Sequence, residues 1–285
     1  MIWRLHRWVW KVQGPLSVGM APAGALNRCR LYVPARAVWG ACTTELAQSR
    51  PADFIEAGKK LLERARFSYL FPAEWDGRSW SAWLPRFREG HGLTWAREDD
   101  RDGQQPVADR DFRFHLLEAR PGTAIDPESD SAADGSLRET ECITRRWRRG
   151  RGEVALVGYV FTKNDIDLGS VDSLFLGGDT RYGLGAIKRE GFDPTGSFFG
   201  AQISLEDEDP SVETNRVLGH AITDASMLGA LEHVAGWDRS RAGLRSIRAK
   251  PLWVPGTATP DNAPRRWWIG DDGIWRDHRR GGERE

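Results

Sequence analysis

A continuous apolar run, EVALVGYVFT at residues 153–162, is the strongest structural signal in the chain. It is rich in β-branched and aromatic residues, which favour a strand over a helix. Its length suits a buried strand and falls well short of the ~18–20 apolar residues that a membrane span needs. We therefore predict that this run is the central strand of a sheet.

The residues before this run predict further strands and two helices. Residues 2–13 form a strand of aromatic and β-branched residues, residues 14–29 a long loop without acidic side chains, and residues 30–33 a short strand. Helices follow at 34–48, where proline occupies the first turn, and at 51–66. Both helices carry apolar residues at helical spacing, namely Val38, Ala41, Cys42 and Leu46 in the first and Phe54, Ile55, Leu61 and Leu62 in the second.

The middle of the chain predicts a protruding β-hairpin, inserted near residues 112–147. A strand at 112–120, a loop at 121–135 and a returning strand at 136–147 make up this hairpin, whereas the preceding stretch 72–111 is polar, aromatic and irregular. After the central strand we predict a short helix at 165–176, a glycine-rich turn, and a strand at 185–192. The elements together give an α+β protein.

The chain becomes rich in loops from about residue 191. We predict a helix at 224–237, a strand at 246–255 and a tryptophan-rich end whose last eight residues fray. The chain has no repeat of fixed period. We therefore divide it into a first domain, residues 1–190, and a second half, residues 191–285.

Composition limits the classes of function. Lys+Arg and Asp+Glu both number 41, so the net charge is zero and any nucleic-acid contact must come from local patches. The three cysteines, Cys29, Cys42 and Cys142, have no C-x-x-C spacing, which argues against disulfides and structural zinc. The charged N-terminus is unlike a signal peptide. We expect a cytoplasmic protein that neither binds a cofactor nor associates with a membrane.

Residues 174–188, LFLGGDTRYGLGAIK, place four glycines around one arginine and one tyrosine. The turn fits neither a Walker loop nor a dinucleotide-binding loop, because Gly183 is followed by Leu184 and Lys188 stands where the last glycine of the dinucleotide pattern would be. It can simply be a cap and hairpin. Alternatively, its backbone and side chains hold a single strand of RNA. The candidate RNA-binding residues of this turn are Gly177, Gly178, Arg181, Tyr182, Gly183, Gly185 and Lys188.

A second candidate is the arginine-rich stretch TRRWRRGRGE at residues 144–153. It is either a solvated hairpin base or a patch that follows phosphates, with the indole available for base stacking. Arginine is used throughout in place of lysine, which favours the phosphate interpretation. The candidate residues are Arg145, Arg146, Trp147, Arg148 and Arg149.

The sequence gives weak support to a catalytic or metal site. The acidic loop AIDPESDSAADG lacks the glycine position of a calcium-binding loop, and the six histidines form no H-x-x-x-H pair. His6 or His115 remains open as the general base of a metal-independent ribonuclease. We predict neither catalytic residues nor a bound metal.

Three stretches in this order resemble the CRISPR-associated RAMP superfamily: GPLSVG…RLYVPARAVWGA, TAIDPESDSAADGSLRETE and SLFLGGDTRYGLGAI. The resemblance covers residues 3–190 and implies a ferredoxin-like (RRM-like) βαββαβ domain with an inserted hairpin. It implies that the glycine-rich turn closes over RNA and that the first helix adds Arg36 and Trp39 to the contacts. The second half would be a degenerate ferredoxin-like domain or an embellishment.

The helix start departs from the family pattern, since Ala35 and Arg36 follow Pro34 where glycine and serine are usual. Residues 14–29 contain no acid, whereas the target-cleaving subunits of the family carry an aspartate in this loop. The resemblance therefore implies a subunit that does not cleave its target.

The resemblance implies an RNA-binding subunit of an antiviral ribonucleoprotein, of the group that grips the 5′ handle of the guide RNA and caps the backbone filament. Its partners would be the guide RNA, the other subunits and, through the guide, target RNA or DNA. Three alternatives stay open: a repeated backbone subunit, a guide-processing endoribonuclease, and an interaction module without nucleic acid.

Overall fold

A computed structural model describes residues 2–49, 53–100, 105–163, 166–234, 236–237, 244–245 and 251–278. Over these residues the protein is α+β, as predicted, with many strands and three α-helices. The helices are α1 (Ala35–Ser49), α2 (Phe54–Arg64) and α3 (Asp109–Leu116). In the part of the chain so described, none of the helices combines the length and apolar character that crossing a bilayer requires.

Fourteen of the described strands lie before residue 195 and nine after residue 201. The first group is β1 (Arg4–Val12), β2 (Leu26–Asn27), β3 (Ala65–Phe67), β4 (Phe71–Trp75), β5 (Trp80–Arg88), β6 (Gly92–Arg97), β7 (Val107–Ala108), β8 (Leu117–Gly122), β9 (Ile125–Asp126), β10 (Ser131–Ala132), β11 (Arg138–Ile143), β12 (Ala155–Thr162), β13 (Ser173–Phe175) and β14 (Ala186–Pro194). The second group is β15 (Gln202–Ser204), β16 (Ser211–Thr214), β17 (Ala221–Ile222), β18 (Leu231–Glu232), β19 (Gly236–Trp237), β20 (Leu244–Arg245), β21 (Leu252–Trp253), β22 (Arg265–Ile269) and β23 (Trp275–Arg276).

The central strand is confirmed. Every residue of β12 is buried, and β12 pairs with β1, β3 and β4, all antiparallel. The sheet has the order β13–β14–β1–β12–β4–β5–β6–β7, with β3 as an additional partner of β12. The apolar run therefore forms a strand in the middle of the largest sheet, where both faces of β12 are covered.

Both helices of the first part are confirmed, with one difference in how α2 packs. Val38 and Cys42 bury one face of α1, and the Asp53 side chain caps α2 by accepting from the Ile55 N–H (3.0 Å). Leu61 is buried, whereas Phe54 and Ile55 are exposed, so the predicted apolar face of α2 is only partly used. Residues 50–52, where this helix was expected to begin, lie outside the described residues. The short strand predicted at 30–33 is reduced to a single bridge between Val33 and Leu70.

The stretch 72–111 is not irregular, as the sequence suggested. Strands β4, β5, β6 and β7 run through it as an antiparallel meander. The first five residues of the strand expected at 112–120 belong to α3, because Phe112 and Leu116 bury one helical face and acidic residues occupy the first turn. The strand itself begins at Leu117.

The protruding hairpin is confirmed. Strands β8 and β11 pair antiparallel from Leu117↔Ile143 to Arg138↔Gly122, and β9 and β10 form the tip. Strand β2 pairs with β11 in parallel, so the hairpin is hydrogen-bonded to the loop of residues 14–29.

The short helix predicted at 165–176 is absent from the described residues 166–176, which hold β13 and turns. Of the predicted apolar face, Val171 and Leu174 are buried, whereas Phe175 is exposed; the two buried side chains enter the core from turn and extended backbone. The strand predicted after the glycine-rich turn is confirmed as β14.

The second half forms a seven-stranded sheet of order β15–β16–β22–β23–β17–β21–β18. The helix predicted at 224–237 is wrong over its described residues, which include β18 and β19. Of the strand predicted at 246–255, the described part holds β21, and residues 246–250 lie outside the described residues. The fraying predicted for residues 278–285 falls outside the described residues except for His278.

Contacts run across the predicted boundary at residue 190. The Trp3 indole N–H donates to the carbonyls of Asp207 and Glu208, both at 3.1 Å. The Tyr69 hydroxyl donates to His220 Nδ1 (2.5 Å), and His220 Nε2 donates to the Glu232 carboxylate. Burial lowers the pKa of His220, so the imidazole is neutral at pH 7. The division into two domains stays a prediction, while the described core is continuous.

Candidate nucleic-acid interface

The glycine-rich turn connects β13 and β14. Residues Thr180–Tyr182 make one turn of 3₁₀-helix, flanked by left-handed backbone at Asp179 (φ 56°) and Gly183 (φ 80°). The Tyr182 N–H donates to the Asp179 carbonyl (2.9 Å) and the Gly183 N–H to the Thr180 carbonyl (3.1 Å). These local bonds fix the direction in which the tip points.

Two of the glycines are required by close packing. A Cβ on Gly177 (φ 79°) would lie 2.0 Å from the Ser17 carbonyl oxygen, and one on Gly185 (φ 84°) would lie 2.1 Å from the Leu176 carbonyl oxygen. The Gly178 and Gly185 N–H groups donate to the carbonyls of Ser17 (2.9 Å) and Pro15 (2.8 Å). These two amides are therefore engaged by the protein, which corrects the prediction that the glycine backbone offers them to phosphate.

The side chains at the tip face solvent. Arg181 is exposed, and the Tyr182 ring has 69% of its surface exposed. The Arg138 guanidinium, from strand β11 of the hairpin, lies 5.9 Å from the centre of the Tyr182 ring. We call Arg138, Arg181 and Tyr182 the turn surface; Arg138 was not among the predicted RNA-binding residues.

Lys188 continues the positive charge along β14. It lies opposite Lys11 of β1 in the antiparallel register, so both side chains share one face of the sheet. The Lys11 ammonium is 2.7 Å from Glu153, and this hydrogen bond raises the pKa of Lys11. The charge of Arg145 also acts on Lys11. The sheet face thus connects Lys188 with the first arginine of the arginine-rich stretch.

The arginine-rich stretch is exposed except for its tryptophan. Arg145, Arg146, Arg148 and Arg149 are all exposed, whereas only 3% of the Trp147 surface is. The Trp147 indole donates to the Ala73 carbonyl (3.4 Å), and its ring centre lies 5.6 Å from that of Phe112. Trp147 therefore belongs to the core, and the interpretation of this indole as a base-stacking group is wrong.

A cleft of 490 Å³ beside this stretch is lined by three tryptophans, Trp75, Trp80 and the buried Trp147. Trp75 and Arg149 both line the cleft, with Lys11 and Glu74 on its walls. The Trp75 ring is 53% exposed and meets Trp80 edge to face, with 5.6 Å between the ring centres. Burial raises the pKa of Glu74. An exposed indole and a guanidinium therefore line the same cleft. The sequence holds no local signal for this arrangement, because Trp75 and Arg149 belong to distant segments.

Arg36 and Trp39 lie on α1 and contact each other. The Arg36 guanidinium is 5.5 Å from the centre of the Trp39 ring. The Trp39 indole donates to the Gly58 carbonyl of α2 (3.2 Å), so its ring is fixed between the two helices. Trp39 is therefore a packing residue between α1 and α2, and its ring also contacts the Arg36 guanidinium.

Each of the two candidate general bases contacts a phenylalanine ring. His6 stacks on Phe192 with 4.4 Å between ring centres, and burial, then the charge of Arg4, lowers its pKa. His115 contacts the Phe114 ring, with 5.5 Å between the ring centres, and interacts electrostatically with the Glu74 carboxylate. Within the described ranges, no three His, Cys, Asp or Glu side chains are grouped as a metal site. A carboxylate therefore neighbours His115, whereas the contacts described for His6 are with Phe192 and Arg4.

Comparisons with known proteins show the fold. No protein-family profile matches the sequence, and neither does any curated protein. The chain is similar to a chain in the cryo-EM structure of the type III-B Cmr-beta complex bound to cognate target RNA and AMPPnP, with a TM-score of 0.59, 14% identity, and coverage of 88% of this chain and 84% of that chain. It is similar to a chain of the same complex bound to cognate target RNA alone, with a TM-score of 0.57, 14% identity, and coverage of 88% and 85%. The chain therefore has the fold of a subunit found in type III-B CRISPR assemblies.

Proposed function

We propose that this protein is an RNA-binding subunit of a type III CRISPR effector complex, acting in the cytoplasm. The similarity to chains of Cmr-beta complexes spans most of both chains and supports this class of assembly. The observation that carries RNA binding is the turn surface, where an exposed tyrosine ring lies beside Arg138 and follows the exposed Arg181 in sequence.

The fold assigned to the first part is ferredoxin-like. The order β14–β1–β12–β4 places the first and third strands of the motif in the middle of the sheet, as a βαββαβ arrangement requires. Helices α1 and α2 supply the first crossover, whereas β13 and the glycine-rich turn occupy the described part of the second. We propose domains at 1–190 and 191–285 on this basis, the second being a degenerate relative of the first.

The turn surface suits single-stranded RNA because its two kinds of side chain recognise different parts of a nucleotide. A tyrosine ring offers a face on which an unpaired base stacks, and arginine pairs with phosphate oxygens in two parallel hydrogen bonds. Arg138 comes from β11 and Arg181 from the turn before β14, so two separate segments offer a guanidinium to the RNA strand near the tyrosine ring. Lys188 and Arg145 extend the path along the sheet face.

The role within the complex is to grip the 5′ handle of the guide RNA and cap the backbone filament. The loop at 14–29, which would carry the acid of a target-cleaving subunit, has no acidic residue, and its carbonyls hold the glycine-rich turn. Partners of the protein are then the guide RNA and neighbouring subunits, with target RNA or DNA contacted through the guide.

The test is a double substitution of the exposed tip, Arg181→Ala with Tyr182→Ala, in the assembled complex. We expect the variant to fold normally and to retain less guide RNA, because both side chains are exposed and make no core contact. Arg4→Ala, which removes an exposed arginine at the opposite end of β1 from Val12, the residue that pairs with Ile187 beside the turn, is the matched control. Equal RNA retention by the variant, the control and the unmodified protein would contradict the proposal.

A further inference from the structure

A second cleft, of 640 Å³, opens between strands β5 and β6 of the large sheet and the second half of the chain. Its walls come from β5, from the residues after β6, from the turn at 198–201 and from the segment after β16. Its volume lies within the range of about 300–1,000 Å³ typical of small-molecule sites. The residues that define its chemistry are Arg86 and Arg216.

These two arginines are half-buried and incompletely hydrogen-bonded. Arg86 donates through Nη2 to the Asp100 carbonyl (3.0 Å). The Nε atoms of Arg86 and Arg216 are buried, and neither has a hydrogen-bond partner among the described residues. A buried N–H without an acceptor is costly, so each Nε marks a position where an acceptor is missing.

The backbone joins the two segments that carry the arginines. The Phe87 N–H, next to Arg86, donates to the Gly256 carbonyl (3.0 Å). The Gly256 N–H donates to the carbonyl of Val217 (2.8 Å), next to Arg216. A Cβ on Gly256 would lie 2.9 Å from the Pro85 carbonyl carbon, so the segments are packed closely. Both arginines line the same cleft, and the charge of Arg86 acts on Arg216.

The electrostatics of the two arginines favour the binding of an anion. Burial, followed by the charges of Arg86 and Arg88, lowers the pKa of Arg216 to about 10. Burial, opposed by Asp100, also lowers the pKa of Arg86. Both guanidinium groups remain charged at pH 7, and the repulsion between their like charges destabilises the charged forms. An anion placed between them would reverse this repulsion.

The carboxylates that line the same cleft are already engaged. Glu98 accepts from Arg7 (2.6 Å) and from the Ala82 N–H (2.8 Å). Asp99 accepts from Ser81 (2.9 Å) and Arg97 (3.0 Å). They belong to the rim network around Arg7 and Arg97, which leaves Arg86 and Arg216 as the anion-binding pair of the cleft.

The opposite wall is aromatic. Phe199 adopts left-handed backbone (φ 47°), a strained conformation for a bulky residue that is often associated with functional sites. Its ring stands edge-on to Tyr159, with 4.7 Å between the ring centres, and its N–H donates to the Tyr159 hydroxyl (3.1 Å). The left-handed backbone thus occurs at a residue, Phe199, that lines the cleft.

We propose that this cleft binds the phosphate group of a nucleotide, with Arg86 and Arg216 holding the phosphate and the Phe199 wall contacting the ribose or base. Two guanidinium groups match the charge of a phosphate better than that of a carboxylate, and an aromatic wall suits a nucleotide better than a bare anion. The site is separate from the turn surface and does not rest on the function proposed for it.

The experiment titrates the full chain with adenosine 5′-monophosphate and with inorganic phosphate by isothermal titration calorimetry. We expect both to bind, the nucleotide more tightly, and adenosine to bind much more weakly. Arg216→Met and Arg86→Met should each weaken nucleotide binding by about tenfold or more, because each removes charged hydrogen bonds to the phosphate. Arg216→Lys should bind with intermediate affinity, and Arg78→Met, an exposed control, should leave binding unchanged.

Melting temperature separates lost binding from lost folding. Without ligand, Arg216→Met should melt at or above the temperature of the unmodified protein, because the substitution removes repulsion with Arg86. The proposal is overturned if neither phosphate ligand binds at millimolar concentration, if Arg216→Met binds as well as the unmodified protein, or if a polyglutamate peptide displaces the nucleotide as effectively as phosphate.

A competition identifies the source of the phosphate. A single-stranded RNA ten-mer that displaces adenosine 5′-monophosphate indicates an RNA phosphate, whereas failure to displace it indicates a free nucleotide. The variant with both Arg181→Ala and Tyr182→Ala should bind adenosine 5′-monophosphate normally. That result keeps this site distinguishable from the turn surface if either proposal fails.

Discussion

The glycine-rich turn and the arginine-rich stretch look alike in sequence, since each places an aromatic ring beside arginines, but they fold differently. In the turn the ring of Tyr182 is exposed, and an arginine from another strand lies beside it. In the stretch the ring of Trp147 is buried against Phe112, while its arginine neighbours are exposed. A cation next to an aromatic residue in sequence therefore does not define a stacking site.

The difference follows from what each backbone is attached to. The turn is anchored below its tip by the Ser17 and Pro15 carbonyls, which leaves residues 180–182 outside the core. Trp147 lies where the hairpin returns to the large sheet, and the carbonyl of Ala73 on β4 accepts from its indole. The exposed ring of that region is supplied by Trp75, two residues further along β4.

The largest contrast is expected in stability. Trp147→Ala should lower the free energy of unfolding by about 3–5 kcal/mol, because a large buried ring is removed from the core. Tyr182→Ala should change it by less than about 0.5 kcal/mol, because the ring is exposed. Urea unfolding of the two variants measures this contrast, and equal losses would show that the two rings are in similar environments.

The next effect concerns the anchoring of the turn. Gly177→Ala should cost about 2 kcal/mol or more, because a Cβ would lie 2.0 Å from the Ser17 carbonyl oxygen in a left-handed backbone. Gly178→Ala is the matched control, since a Cβ there meets no atom within 4 Å. Thermal melting compares the two, and a control that loses as much stability would refute the packing role of Gly177.

For RNA binding we expect the opposite order of effects, with the Tyr182 ring contributing more than the Trp147 ring. Tyr182→Ala should weaken binding of a single-stranded RNA by about 1–3 kcal/mol, and Tyr182→Phe should keep most of the affinity, because stacking needs the ring and not the hydroxyl. Trp75→Ala should also weaken binding if the RNA continues into the cleft beside Arg149. Fluorescence anisotropy with a labelled oligonucleotide measures these affinities, and a Tyr182→Ala variant of unchanged affinity would remove the ring from the interface.

The smallest effect is in the salt dependence. Arg181→Ala should reduce the slope of log affinity against log salt concentration by about 0.7, the value for one phosphate contact on a single strand. Arg148→Ala should change the slope less, because the Arg148 guanidinium donates to the Leu117 carbonyl (2.9 Å) and lies over the Phe114 ring. Equal slopes for both variants would mean that the contacts with Leu117 and Phe114 do not keep Arg148 from phosphate.

Local patterns predicted the elements whose signals are contained within one segment. The buried β12, the helix α1 with a proline just before it, and the paired strands of the hairpin all carry such signals. The meander of β4 to β7 was missed because its tryptophans interrupt the alternation of polar and apolar residues. Helix α3 was read as a strand because Phe112 and Phe114 favour both structures, and only the packing of Phe112 on Trp95 decides between them.

The candidate sites divide in the same way. The exposure of Arg181 and Tyr182 follows from a turn that the glycines mark in sequence. The pairings of Arg138 with Tyr182, Trp75 with Arg149, and Arg86 with Arg216 join distant segments, so the sequence contains no local signal for them. Burial of Trp147 likewise depends on a carbonyl of another strand.

The most direct test of the turn surface is ultraviolet crosslinking of the bound guide RNA, followed by mass spectrometry of the crosslinked peptides. The account predicts a crosslink at Tyr182, which disappears in the Tyr182→Ala variant while the protein stays folded. Crosslinks confined to the second half of the chain, with none in residues 177–188, would contradict it.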